Sequence, residues 1–441
     1  MEHPYIPNAV PEVKAAMLAV TGAADVEEFY ADIPESLRLR RPLDLPPALR
    51  GEAELVRHVD GLLDRNTSTR DALSFLGGGC YRHYVPAVCD EVNSRSEFLT
   101  AYAGEPYEDH GRFQALWEYQ SLMGELLEMD VVNVPVYDGF QATATALRMA
   151  GRITGRTRIA LATPIDPDRL SKITDYLKGA LTIGGPIEGD DLAAVYIDYP
   201  TFLGVVDART PAYVEAAHAA GGLAVVGCDP IGLGVLATPA SFGADIVCGD
   251  IQSLGMHPQY GGGHAGFIAT HDDERFVAEF PSRLFGIVPT TVEGEYGFGD
   301  VAYDRTSFAH RELGKEWVGT AAALWGITAG VYLSLMGPAG MRELGEGLMA
   351  RARYAKDLLA GIDGVEIPHL GQTHLKEFAV SFTGRTVTEV NTELRARGIF
   401  GGHDLSADFP HLGQSALYCV TELHTQADLD RLAAALKEIL A

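Results

Sequence analysis

Lysine is scarce in this chain, and so is positive charge of any kind. Seven of its 441 residues are lysine: Lys14, Lys172, Lys178, Lys315, Lys356, Lys376 and Lys437. Together 34 Lys and Arg face 60 Asp and Glu, for a formal net charge of −26. That deficit argues against nucleic acid as a ligand, because binding phosphates takes clustered Lys and Arg. No uninterrupted apolar run reaches the ~18 residues of a membrane span. The start "MEHPYIPNAV" has neither the basic nor the apolar segment of a secretory signal. The five cysteines are odd in number and follow no C-x-x-C spacing, which predicts reduced, mostly buried thiols in a cytoplasmic setting. G-x-S-x-G, a Walker loop and a G-x-G-x-x-G opening a helix after a strand are all missing, which weakens hydrolase, NTPase and dinucleotide readings.

What is present is 47% hydrophobic residues, enough for a large core. The proline-rich "RRPLDLPPALR" cannot be a helix interior and predicts an arm over residues 1–70 that lies on another surface. After Gly111 the chain turns helical, and Phe113, Leu116, Trp117 and Tyr119 form a stripe expected to pack in the core. The runs "TRIALATP", "LAAVYIDYP", "LAVVGCDP", "ADIVCGD" and "HAGFIAT" predict strands. The first three are separated by helical segments, the signature of a mainly parallel sheet covered on both faces. A long helix is predicted from about Gly319 to Gly337, followed by short strands in an α+β lobe. The expected division is an arm (1–70), a large domain (71–330) and a small C-terminal domain (331–441). Thr425 with Asp428 reads as a capping box opening the last helix.

Two neighbouring strand ends carry the candidate chemistry. Asp229, before Pro230, reads either as a helix cap or as the carboxylate that pairs with the ring nitrogen of a bound cofactor. The next strand ends at Gln252–Ser253. An Asp on one strand and a Lys at the tip of the next is the layout of pyridoxal-phosphate enzymes, yet no lysine falls there. Lys315 is the lysine nearest the strand tips in sequence order, and it reads as a solvated helix lysine. "GGGCYRHY" supplies Tyr81, His83 and Tyr84 on a turn, and "TAYAGEPYEDHG" adds Tyr102 and His110, donors suited to the wall of a pocket. Neither His83 with His110 nor His257 with His264 fits a metal spacing, so no metal is expected.

The segments "YIPN", "FYADIPESLRLRRPLDLPPAL", "FLGGGCYRHYVPAV", "SRSEFLTAY", "MDVVNVPVYDG" and "VYLSLMG" resemble the N-terminal (alpha) subunit of two-subunit glycine decarboxylase, the P-protein of the glycine cleavage system. The resemblance runs in order along nearly the whole chain. It implies an α/β, aspartate-aminotransferase-like fold and a heterotetramer with a beta subunit that carries pyridoxal 5'-phosphate on its lysine. It also implies a lipoyl carrier, the H-protein, and glycine or a similar small amino acid as substrate. This chain would then hold no covalent cofactor: Ser253, beside Gln252, stands at the Schiff-base lysine position, and Asp229 is a relict. Tyr81, His83, Tyr84, Tyr102 and His110 are the expected subunit-boundary residues. Loops around 105–112, 165–170 and 305–320 depart from the family's pattern. They motivate an alternative: a paralogue for another amino acid, or a structural or regulatory partner without a direct catalytic role.

Overall fold

The computed structural model describes residues 10–98, 110–307, 312, 314–316 and 322–441. The chain divides into two units, Met1–Thr67 and Ser68–Ala441. In the first, helices Pro11–Thr21 and Glu52–Leu63 flank an irregular stretch, and residues 41–50 have no regular structure, as their prolines require. None of the described residues of this unit is buried. The helix Glu52–Leu63 leaves Leu55, Val56, Val59, Leu62 and Leu63 in the open.

The second unit is built on a seven-stranded sheet. Its strands are β1 (Val131–Val132), β2 (Arg158–Leu161), β3 (Thr182–Ile183), β4 (Leu192–Tyr199), β5 (Leu223–Cys228), β6 (Ile246–Asp250) and β7 (Gly266–Thr270). Across the sheet they run β1-β7-β6-β5-β4-β2-β3. Strands β2 to β6 pair in parallel, whereas β7 runs antiparallel to both β6 and β1. All eight residues of β4 are buried, as a central strand covered on both faces requires. Helices α1 (His110–Leu127), α2 (Gly139–Thr154), α3 (Pro167–Leu177) and α4 (Thr210–Ala219) accompany this sheet. The aromatic stripe on α1 packs as expected, with Phe113, Leu116 and Tyr119 buried.

Helix α5 (Ala323–Ala360) does not stop at Gly337. The backbone breaks there at φ 57°, ψ −178°, in front of Pro338, and the helix then resumes. The proline's missing N–H and its ring clash fall at the kink, not inside a continuous hydrogen-bond ladder. Beyond it lies an antiparallel sheet of β8 (Val365–Glu366), β9 (Glu377–Phe382), β10 (His403–Asp404) and β11 (Ser415–Cys419), ordered β8-β9-β11-β10. The closing helix α6 (Gln426–Leu440) starts with the Thr425–Asp428 capping box. Among the described residues, no helix is long and apolar enough to cross a membrane.

Candidate functional site

A cleft of about 380 Å³ opens past the C-terminal ends of the parallel strands, where ligands enter α/β sheets. Three neighbouring strands send carboxylates to it: Asp198 from β4, Asp229 after β5 and Asp250 from β6. The glycine turn 78–79, Tyr81 and the Lys376–Glu377 pair at the start of β9 close the other side. Gly78 and Gly79 sit at φ 76° and 106°, left-handed backbone that glycine adopts without a Cβ clash.

The chain around residues 78–81 is clamped from two directions. Gln252 accepts the Tyr81 N–H at 3.0 Å and returns a hydrogen bond to the Tyr81 carbonyl at 2.9 Å. Glu377 accepts the Gly78 N–H at 2.7 Å and the Tyr81 hydroxyl at 2.9 Å. Gln252 is buried, and its amide has become a bracket for the turn.

Lys376 is at the centre of the site. Its ammonium forms an ion pair with Asp229, lies 3.3 Å over the Tyr81 ring and donates to His83 Nε2 at 3.0 Å. His83 therefore carries its proton on Nδ1, which meets Glu422 Oε2 at 2.8 Å. Burial and the Lys376 charge hold His83 below the ordinary histidine range, so the ring is neutral. Burial alone would raise the Asp229 carboxyl. The Lys376 ammonium more than offsets that, helped by the Ser253 hydroxyl, which donates to Asp229 Oδ1 at 2.8 Å. Asp229 also accepts the Ile231 N–H at 3.2 Å, so it is the helix cap as well.

A second anion seat is filled in the same way. The N-terminus of α2 is the kind of place that binds phosphate, through free N–H groups and the helix dipole. Here the Gly139 N–H donates to Asp250 Oδ2 at 2.8 Å, and Asp138 caps Gln141. A third pairing, Arg169 with Asp198, is supported by the Tyr196 hydroxyl, which donates to Asp198 at 2.7 Å.

Several expected residues take different positions from those predicted. Lys315 is not on a helix; it lies in an irregular stretch and pairs with Glu279. The lysine at the strand ends is instead Lys376, more than a hundred residues from Asp229 in sequence and brought there by the small sheet. Tyr81 lines the cleft and His83 is buried behind it between Lys376 and Glu422, while Tyr84 holds its backbone on Glu422 and leaves its ring in the open, 60% exposed. Tyr102 lies outside the described residues, as does the side chain of His110. Sequence reasoning missed Lys376, Glu377 and Glu422, since no spacing connects them to the strand tips. Among the described residues no group of three or more His, Cys, Asp or Glu is arranged to hold a metal ion.

Asp229 is held by the Lys376 ammonium and the Ser253 hydroxyl, and the Asp250 carboxylate occupies the N-terminus of α2, so these seats are taken and do not fit pyridoxal phosphate.

The mainly parallel seven-stranded sheet with its small antiparallel lobe defines the fold of the type I pyridoxal-phosphate enzymes. Two solved structures bear on the fold alone. A NifS-like protein has TM-score 0.62 at 13% identity, over 84% of this chain and 99% of its own. A sphingosine-1-phosphate lyase from Burkholderia pseudomallei has TM-score 0.63 at 15% identity, over 92% and 94%. The chain belongs to the glycine cleavage system P-protein family, whose model matches residues 3–436. It is 37% identical to a probable glycine dehydrogenase (decarboxylating) subunit 1 of Geobacillus kaustophilus, over 98% of each chain. It is 35% identical to the corresponding protein of Aeropyrum pernix, over 100% of each. A crystal structure of glycine decarboxylase (P-protein) in inhibitor-bound form superposes with TM-score 0.85 at 33% identity, over 100% of both chains.

Proposed function

We propose that this chain is the non-cofactor-bearing subunit of a pyridoxal-phosphate-dependent glycine decarboxylase. It acts with a lysine-bearing partner subunit that holds the cofactor and with a lipoyl carrier that takes the aminomethyl group. The cofactor supplies an electron sink for the carbanion left when carbon dioxide departs. The observation that supports this reading is the engagement of Asp229 by Lys376 beside Ser253, which leaves that carboxylate already paired. The names of the relatives, each a "subunit 1", support a partner. The exposed leucines and valines of residues 10–67 support it too, because apolar surface of this extent marks an interaction face. We read the rest of the chain as a large domain (71–330) and a small one (331–441).

Within that reading, the residues of this chain hold the scaffold together. The pairs Lys376–Asp229 and His83–Glu422, with Tyr81–Glu377, connect the start of β9 and the end of β11 to the glycine turn and the large sheet. The same engagement favours a structural role for this cleft over direct proton transfer. The test is release of labelled carbon dioxide from carboxyl-labelled glycine by this chain, by the lysine-bearing chain and by the two together, each with pyridoxal phosphate and a lipoylated carrier. The reading predicts release from the mixture alone; release by this chain alone, or another amino acid preferred over glycine, would overturn it.

A further inference from the structure

A second cavity, of about 670 Å³, opens at the β1 edge of the large sheet and shares no lining residue with the strand-end cleft. Its floor is apolar. Trp117 comes from α1, Val132 from β1, and Val277, Leu284 and Phe285 from the chain after β7. The Trp117 ring is half-buried and rests against Phe298, with centroids 5.5 Å apart, so its position is fixed.

Carboxylates surround this floor. Glu125 lies in the last turn of α1, Glu128 and Asp130 follow the helix end, and Asp272 comes from beyond β7. Among the described lining residues Arg305 is the one Lys or Arg, and it pairs with Asp272. Glu128 accepts the Thr238 hydroxyl at 2.5 Å, and Asp130 meets His271 Nδ1 at 3.2 Å. Glu125 is exposed and has no partner among the described residues. The carbonyl end of α1 adds to this negative field, because the last turn of a helix carries partial negative charge.

The group that points to a ligand is Gln120. It lines the same cavity one helical turn from Trp117 and is only 8% exposed. Its Nε2 donates to the Val132 carbonyl, whereas its Oε1 is buried without a donor. Native folds rarely leave a buried amide oxygen in that state, since it has lost water and gained nothing in return. A ligand that brings an N–H would satisfy it.

We propose that this cavity binds a small organic ammonium ion with an apolar or aromatic body. The body covers Trp117, Leu284 and Phe285. The ammonium donates to Gln120 Oε1 and is balanced by Glu125 and Asp130, and the face of an indole favours a cation as well. An anion of the same shape would face Glu125, Glu128 and Asp130 with no cation to meet it except the engaged Arg305. This site is independent of the proposed decarboxylase role.

The experiment titrates the full chain by calorimetry with 2-phenylethylammonium and with 3-phenylpropanoate, an anion of similar shape, and locates the cation by hydrogen-exchange protection. The proposal predicts saturable binding of the cation with a dissociation constant below about 1 mM, at least about tenfold tighter than the anion, with protection over residues 117–132. Glu125→Gln, at an exposed and unpaired position, should weaken it about threefold, the effect of one exposed ion pair. Gln120→Met should weaken it at least as much. The unsubstituted chain gives a check that needs no variant: raising the ionic strength should weaken the cation's binding. No saturable binding, an anion bound equally well or better, an affinity unchanged by Glu125→Gln or by salt, or protection at the strand-end cleft instead would each overturn it.

Discussion

Replacing Lys376 with methionine tests the site's most heavily connected contact. Lys376 and Asp229 are nearly out of solvent, with side-chain exposures of 4% and 16%. Methionine keeps much of the volume but leaves a buried carboxylate with only the Ser253 hydroxyl and the Ile231 N–H. Breaking one half of a buried pair costs about 3–5 kcal/mol, mostly from the charge left behind. For 441 residues the unfolding entropy is about 0.9 kcal/mol per kelvin, so the midpoint should fall by about 3–5 °C. Calorimetry of the unsubstituted chain, Lys376→Met, Asp229→Asn and the double variant forms a closed cycle. The double variant should recover most of the loss, because no uncompensated charge remains. Additive losses would mean that the two side chains do not depend on each other, and the account of the cleft as closed by this pair would fail.

Other perturbations have equally definite signs. His264 is held up to about 10, so its contribution is complete below its ordinary value of 6.5 and is lost as pH rises toward 10; His264→Gln should flatten the alkaline decline in melting temperature. Burial, and then the Lys356 charge, hold His374 down to about 4, so the fold favours its neutral form. That contribution is complete above 6.5 and is lost as pH falls toward 4, and His374→Gln should reduce the loss of stability over that window. At Gly77 an added Cβ would meet Glu377 Oε1 at 2.3 Å and Cys419 Cβ at 2.6 Å, whereas at Gly299 it would meet nothing within 4 Å. Gly77→Ala should cost about 1–3 kcal/mol in a denaturant titration, and Gly299→Ala should be close to neutral.

The elements that were legible in the sequence are those whose patterns are local. The unbroken apolar run of β4 announces a covered strand, and Thr425 with Asp428 announces a helix start. The absence of lysine at Gln252–Ser253 was equally plain, since a missing residue needs no fold to be noticed. The direction of β7 was not legible, because a fully buried strand reads the same whichever way it runs. The continuation of α5 past Pro338 was hidden by a proline that ordinarily ends a helix. Lys376 escaped for a third reason. Its meeting with Asp229 depends on how the small sheet packs on the large one, and in sequence it is simply a lysine before a strand.

The central claim is that the cofactor of the complex is carried by the other chain. The direct measurement is borohydride reduction of the assembled complex with pyridoxal phosphate, followed by mass mapping of pyridoxyl-lysine. The account predicts the label on one lysine of the partner subunit and none on this chain. A pyridoxyl group on Lys376, or on any other of the seven lysines here, would contradict it.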